Sequence, residues 1–275
     1  MSLALKQDEF DFISSYLKQR SGLALSQDKV YLLESRLQPI ARAQNLATVN
    51  ELIAKLKSGG IGKAVETEII ESMTTNESMF FRDSKPFEYF TKLMIPRIRA
   101  ATPTLPRLRI WSAACSNGQE PYSIAITFKE NEASLGGMGC DIFATDIADK
   151  VIERAKQGHY TQFEVQRGLP INLLLKYFKQ LPENIWEVHA PIRQMVRYQN
   201  VNLLSPITNL GTFDIIFCRN VLIYFDEATK ADILNRMCSI LSPAGCIVLG
   251  GAETVLGITD KLKPLDDARG VFIKA

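Results

Sequence analysis

The sequence predicts an all-α unit followed by an α/β domain, whose Rossmann-like, mostly parallel sheet carries a small antiparallel β-subdomain. Three observations lead there. Apolar residues recur at helical spacing over the first 75 positions. From Leu108 onward, strand-like and helix-like segments alternate, the pattern of a sheet covered on both faces. Residues 111–122, Trp-Ser-Ala-Ala-Cys-Ser-Asn-Gly-Gln-Glu-Pro-Tyr, read as a buried strand breaking into a small-residue turn and then a helix.

In the first unit the helical runs are Phe10, Ile13, Leu17; then Val30, Leu33, Leu37, Ile40; then Leu52, Ile53, Leu56; then Ile69, Ile70, Met73. Gly22, Asn45 and Ser58-Gly59-Gly60 punctuate them, so four helices are expected within residues 1–75. This unit carries nine Lys and Arg against nine Asp and Glu. Its second helix is locally basic through Lys29, Arg36 and Arg42, with Pro39 expected to kink it. Residues 76–107 are expected as a connecting segment. Over 82–109 there are seven basic residues against Asp83 and Glu88, which reads as a solvated helix and linker.

The α/β domain is expected over 108–275, with strands at 108–113, 141–146, 213–218, 245–250 and 271–274 and helices near 120–131, 147–157 and 227–241. An insert over 169–205 interrupts the alternation. After a short helix around Leu173–Phe178, the segments Trp186–Ala190 and Arg193–Val201 alternate as two strands around Pro191, which suggests a small antiparallel subdomain standing off the main sheet.

Composition narrows the class. An apolar fraction of 46% and a charged fraction of 23% belong to a globular chain, and a formal net charge of +2 gives no reason to expect nucleic acid. No apolar run reaches the roughly 18–20 residues of a membrane span, and MSLALKQDEF has no signal-peptide core, so a cytoplasmic protein without membrane insertion is expected. Five cysteines without a Cys-x-x-Cys pair read as reduced, buried thiols, and the two histidines have no metal-ligand spacing. No metal is expected.

The chemistry concentrates at the turn. Ser112–Gly118 has no bulky side chain, so a ligand can approach the backbone, and Pro121 sits in the first turn of the following helix. About 25 residues beyond Tyr122, Asp141-Ile-Phe-Ala-Thr-Asp146 ends a second strand in an acid, completing a βαβ unit with a carboxylate placed for ribose hydroxyls. An Asp in that position is also a cap for the next helix. The Gly-x-Gly-x-x-Gly of nicotinamide-binding units is absent, which disfavours a dehydrogenase.

Five blocks in order carry a resemblance to a known family: Thr74-Thr-Asn-Glu-Ser-Met-Phe-Phe-Arg-Asp83, Trp111–Ser123, Ala144-Thr-Asp-Ile147, Asn202-Leu-Leu204 and Phe213-Asp-Ile-Ile-Phe-Cys-Arg-Asn-Val-Leu-Ile-Tyr-Phe225. Together they resemble the chemotaxis receptor glutamate methyltransferases, the CheR family, over nearly the whole chain. The resemblance implies S-adenosylmethionine as cofactor, S-adenosylhomocysteine as product, and methyl esters on receptor glutamates in sensory adaptation.

It also implies cofactor contacts from Asn76, Ser78, Arg82, Glu120, Asp146, Asn202, Leu203, Arg219 and Asn220; at the reacting centre Tyr224 is the candidate for shaping the mouth, and Arg82 or Arg219 for holding the incoming carboxylate. A fork from Arg82 suits the cofactor's carboxylate, and Asn202 suits the adenine edge. Partners would be the cytoplasmic methylation helices of chemoreceptors, docked on Lys29, Arg36 and Arg42, with room for a regulatory adaptor and a monomeric chain.

Departures from the family pattern are Gln119 in place of a second Glu, and Gly251-Ala-Glu253 in place of His-Ser-Glu, which puts that loop's role in doubt. The stretch 169–210 has no glycine, whereas members that dock on a receptor's tethering peptide have a glycine-rich turn there. The pentapeptide-independent class is therefore expected. The competing readings are a methyltransferase acting on nucleic acid or a small molecule, for which the Asn-Pro-Pro-Tyr motif is missing, and a non-catalytic protein that binds the cofactor.

Overall fold

A computed structural model describes residues 5–275, and their contacts divide the chain into two compact units. The first runs up to Thr75 and takes in the returning segment Tyr224–Thr229; the second comprises Asn76–Ile223 and Lys230–Ala275.

Among the described residues the first unit forms four helices, α1 (Gln7–Ser21), α2 (Val30–Ala43), α3 (Val49–Lys57) and α4 (Lys63–Met73). The residues at helical spacing are the ones that bury: Ile13, Leu17, Leu33, Leu37, Leu52, Ile53 and Ile69 are essentially inaccessible. Gly22, at φ 81°, ends α1 in the left-handed conformation and donates its N–H to Lys18. Thr48 caps α3 by accepting from Glu51 N–H at 3.2 Å.

Two expectations about the basic helix change. Helix α2 runs on through Pro39, which sits on the exposed side where the lost N–H costs least. Arg36 is not a free surface cation. Its Nη1 donates to the carbonyls of Met73 (2.8 Å) and Thr74 (3.0 Å) and its Nη2 to Thr75 Oγ1 (3.2 Å), which satisfies carbonyls left over at the end of α4. Lys29 and Arg42 remain exposed. The returning segment is tied in by Ala24 N–H donating to Tyr224 O (2.9 Å) and by Lys18 pairing with Asp226 at 2.6 Å.

The second unit opens with helices that sequence reading took for a linker. α5 (Lys85–Tyr89) continues through a π-helical turn at Phe90–Met94 into α6 (Ile95–Ala101). Phe87, Phe90, Met94, Ile95 and Ile98 are buried in the same core as the sheet, so residues 85–101 belong to the α/β domain. The basic excess of 82–109 is largely paired: Lys85 and Lys92 flank Glu88, Arg107 forks onto Asp141, and Arg109 lies over the Phe213 ring. Such pairing leaves no uniform basic face.

The elements that follow are β1 (Arg107–Ala113), α7 (Gln119–Asn131), β2 (Gly139–Asp146), α8 (Asp149–Gln157), β3 (His159–Thr161), α9 (Gln162–Gln166), α10 (Ile171–Tyr177), β4 (Phe178–Leu181), β5 (Ile185–Val188), α11 (Ala190–Arg193), β6 (Val196–Asn200), β7 (Phe213–Cys218), α12 (Glu227–Ser239), β8 (Leu241–Leu249), β9 (Leu262–Pro264) and β10 (Val271–Lys274). Among the described residues the main sheet has seven strands in the order β6-β2-β1-β7-β8-β10-β9; the first five are mutually parallel, and β10 runs antiparallel to both neighbours. The order reverses about β1, which is where open α/β sheets form a crevice beyond the strand ends.

The small antiparallel sheet exists, with the expected Trp186 strand as its central strand β5, but its partners differ from expectation. Its order is β3-β5-β4, and the Arg193–Val201 segment is instead β6, the parallel edge of the main sheet next to β2. Pro191 interrupts no pairing, because it lies in the first turn of α11. Nor does the missing glycine exclude left-handed backbone: Glu183 and Asn184 take φ 61° and 55° in the β4–β5 turn. The missing glycine is therefore not by itself a ground for the pentapeptide-independent class.

The Lys18 ammonium beside Asp226, helped by the hydroxyl and N–H of Thr229, holds the Asp226 carboxyl well below the usual carboxylate range. A depressed acid stabilises the fold at pH values above its unfolded pKa, roughly 3.9, and that contribution is lost as pH falls through the folded value. Urea denaturation of wild type and Asp226→Asn should show wild type more stable at pH 6, with the difference shrinking toward pH 2.

Candidate functional site

The crevice beyond β1 and β2 is closed by a turn with unusual backbone. Ala114, Ser116 and Gly118 all have positive φ, at 58°, 50° and 89°. A Cβ on Gly118 would stand 2.8 Å from Tyr198 Oη and 2.9 Å from Ala155 Cβ, so only glycine lets the turn reach α7. The turn is held from inside. Cys115 N–H donates to Thr145 O at 2.8 Å, Ser116 N–H to Asp146 Oδ2 at 2.9 Å and Gly118 N–H to Cys115 O at 3.0 Å. With these donors consumed the turn is a poor phosphate cradle and suits a nucleoside that carries no phosphate.

Asp146, buried at the end of β2, accepts from Ser116 N–H and, through Oδ1, from Ala148 N–H at 3.1 Å. Both readings of this acid hold locally: it shapes the turn into α8 and it is fixed beside the small-residue loop. Its backbone carbonyl accepts from Val201 N–H at 3.0 Å, which brings in Asn202 and Leu203. Asn202 Oδ1 accepts from Leu204 N–H at 2.9 Å, and Leu203 O accepts from Arg236 at 2.7 Å.

On the other side of the turn, Asn76 O accepts from Ser116 Oγ (2.9 Å) and Asn117 Nδ2 (3.3 Å), so the segment Asn76–Arg82, with Ser78 half-buried in it, lies across the turn. Phe81, at φ 49°, donates its N–H to Ser123 Oγ at 3.0 Å. Arg219 then joins three loops. Its Nη2 donates to Arg82 O (2.7 Å) and Asp83 Oδ2 (2.8 Å), and its Nη1 to Glu120 Oε2 (3.2 Å). The guanidinium is 2% exposed, and its Nε is buried with no hydrogen-bond partner among the described residues.

Burial pushes the Glu120 carboxyl above its usual pKa, opposed by Arg219 and by the Ser112 hydroxyl, which donates to Oε1 at 2.8 Å. Burial also pushes the Cys115 and Cys218 thiols far up, so neither supplies a thiolate. Arg82 differs from all of these. Its backbone is pinned, whereas its guanidinium has no hydrogen-bond partner among the described residues; its charge helps, after Arg167, to hold the Glu77 carboxyl below its usual pKa.

Hydrogen bonds join Arg82, Glu120 and Arg219 in one group and Asn76 and Asp146, through Ser116, in another, while Asn202 and Leu203 follow Val201, whose N–H donates to Asp146 O. Asn220 follows Arg219 at φ 58°. Tyr224 stands apart: it closes a 3-10 turn over Leu222–Tyr224, and its carbonyl bond to Ala24 groups it with the helical unit. Sequence reading missed Ser112, Asp83, Ser123 and Glu253, which act through bonds between segments 8 to 136 positions apart. Among the described residues no group of three or more His, Cys, Asp or Glu is placed to hold a metal ion, and no helix is long and apolar enough to cross a membrane.

Comparison with known proteins identifies the family. The profile of the CheR methyltransferase SAM-binding domain matches residues 76–271, and that of the CheR methyltransferase all-α domain matches residues 8–74. The chain belongs to the CheR methyltransferase family. Relatives of this CheR chain include chemotaxis protein methyltransferase Cher2 of Pseudomonas putida, 37% identical over 97% of this chain and 98% of that protein. Chemotaxis protein methyltransferase 1 of Pseudomonas aeruginosa is 36% identical over 97% of each, and the Vibrio parahaemolyticus protein is 34% identical over 99% and 98%.

This CheR protein is accordingly an S-adenosylmethionine-dependent methyltransferase, and its residues fit that cofactor. The Arg82 guanidinium has the chemistry to donate to a carboxylate, and the carboxylate of Asp146 at the end of β2 has the chemistry to accept from a diol.

Gly118→Ala would add about 1–2 kcal/mol of backbone strain and force the tyrosine hydroxyls away. It should lower the urea midpoint and weaken S-adenosylhomocysteine binding together. Asp146→Ala removes a charge-assisted acceptor worth about 1.5–3 kcal/mol. Calorimetry should show its S-adenosylhomocysteine affinity at least tenfold lower.

Proposed function

We propose that this CheR methyltransferase transfers the methyl group to side-chain carboxylates of glutamates in the cytoplasmic helices of chemoreceptors, forming methyl esters. The observation that carries this reading is the pinned backbone and unpaired guanidinium of Arg82, set among charges that are otherwise committed. A site that aligns an anionic nucleophile needs a cation near the reacting atoms. It has no use for a general base.

The chemistry is consistent. A glutamate with a pKa near 4.3 is already a carboxylate at neutral pH and needs no deprotonation. S-adenosylmethionine supplies an electrophilic methyl on a sulfonium. The task left to the protein is to orient the carboxylate oxygen in line and to strip water from it. Arg82 is suited to orienting a carboxylate, with Asn76, Ser78, Glu120, Asp146, Asn202, Leu203, Arg219 and Asn220 holding the cofactor. Tyr224, at the end of the strap that follows Arg219, is assigned to the mouth. The names of the relatives, chemotaxis protein methyltransferases over nearly their whole length, support chemoreceptors as the substrate class. Methyl esters at those glutamates would serve sensory adaptation in the cytoplasm.

Docking is assigned to the helical unit through exposed Lys29 and Arg42; Arg36 is committed to the end of α4. Labelled S-adenosylmethionine mixed with a purified receptor cytoplasmic domain should label the receptor and leave RNA unlabelled, with the label released as methanol by mild alkali. Stable label, or label on RNA, would overturn the assignment. The double variant Lys29→Glu, Arg42→Glu should lower receptor methylation severalfold at unchanged S-adenosylhomocysteine affinity, and the wild-type rate should fall with salt.

A further inference from the structure

We infer that Glu253 is a positioning residue of the cofactor site, acting through the backbone of the Arg219–Ile223 strap. This rests on the assignment of Asn220 as a cofactor contact. The Glu253 carboxylate collects three backbone donors from two loops: Oε2 accepts from Gly250 N–H at 2.7 Å and Asn220 N–H at 2.8 Å, and Oε1 accepts from Ile223 N–H at 3.3 Å. Two of the donors lie on the strap that leaves β7; the third is on the strand end that leaves β8. The carboxylate therefore laces together the ends of two adjacent parallel strands, at the side of the sheet where the crevice opens.

Three features separate this arrangement from an ordinary surface loop. Asn220 takes φ 58°, a left-handed conformation that asparagine adopts more readily than other non-glycine residues and that a bond to its N–H holds in place. Glu253 grips the N–H of that same residue. Second, the grip needs contact so close that a Cβ on Gly250 would fall 2.7 Å from Asn220 Nδ2, 2.8 Å from Glu253 Oε2 and 2.9 Å from Asn220 N. Third, the loop is anchored in the core at Val255, 0% exposed, whereas Gly251, Ala252, Thr254 and Leu256 are exposed and line an open cleft of about 580 Å³ with Tyr89, so on the side toward the strap the Glu253 hydrogen bonds supply the restraint. Glu253 also raises the Glu120 pKa through its charge, which places it within electrostatic reach of the Arg219–Glu120 pair.

The consequence is directional. Strand β7 delivers Cys218 into the core, and within two residues the chain must turn so that Arg219 reaches Arg82 O, Asp83 and Glu120 while Asn220 enters the left-handed region. A carboxylate that captures the Asn220 and Ile223 N–H groups fixes that turn before any ligand arrives. Aspartate is one methylene too short to span the same three donors. Glutamine keeps one acceptor oxygen and turns an NH2 toward a donor, so it retains at most two of the three bonds.

The test measures S-adenosylhomocysteine binding by calorimetry alongside steady-state kinetics for Glu253→Gln, Glu253→Ala and, as a control, Asn220→Ala, with thermal unfolding of each. Expected are a dissociation constant raised about threefold in Glu253→Gln and at least tenfold in Glu253→Ala, with the KM for S-adenosylmethionine rising in step and the KM for receptor unchanged. A purely structural role would lower the unfolding temperature without grading cofactor affinity in this order. Where Glu253→Ala fails to fold, the Gln variant alone decides. Wild-type affinity in a folded Glu253 variant, with weakened binding in Asn220→Ala, would overturn the role of Glu253 alone. Wild-type affinity in both would also overturn the assignment of Asn220.

Discussion

The buried guanidinium of Arg219 is the interaction on which the site depends. It stands at the end of β7, donates to Glu120 on the first turn of α7, and reaches Arg82 O and Asp83 on the segment that crosses the small-residue turn. Burying a cation at 2% exposure is costly unless it is paired and hydrogen-bonded, and two carboxylates and a carbonyl meet most of that requirement. One donor, Nε, is left buried without a partner among the described residues, while the guanidinium lies over the Phe87 ring at 5.9 Å. The same side chain ties together the loops that leave β1 and β7 and the segment before α5.

Around that node the backbone carries strain in an organised way. Phe81, Asp83, Ala114, Ser116, Gly118 and Asn220 all adopt positive φ, and all lie on loops that the network joins. Residues in such conformations persist when surrounding bonds over-determine them. Ser123 holds Phe81, Asp146 holds Ser116 and Glu253 holds Asn220, each through a backbone N–H. Ser123, Asp146 and Glu253 thus serve in this region as backbone clamps.

Much of this was legible from residue order. Helical spacing located α1 to α4, and the alternation after Leu108 located β1, β2, β7 and β10, because periodic burial of one face is a local property of the chain. The errors have a common cause. Residues 85–101 look basic in composition, yet Phe87, Phe90, Met94 and Ile98 bury one face while Lys85 and Lys92 pair outward. Val196–Asn200 was recognisable as a strand, but alternation does not say which sheet a strand joins; β2 offered a parallel edge, and β5 found β3 and β4. Arg36 looked like a surface cation because its acceptors lie 37 to 39 positions further on.

The sequence by itself determined the class of fold, the position of the strand–turn–helix and the identity of most residues that cluster there, since each of these follows from patterns a few residues long. Its five ordered blocks also carried the likeness to CheR methyltransferases. Only the tertiary structure decided what each residue is committed to: Arg36 to the end of a helix, Asp146 and Glu253 to backbone N–H groups, Arg219 to three loops at once. Those commitments join positions up to 137 residues apart, and such distances are closed by the packing of the sheet, which no local pattern encodes.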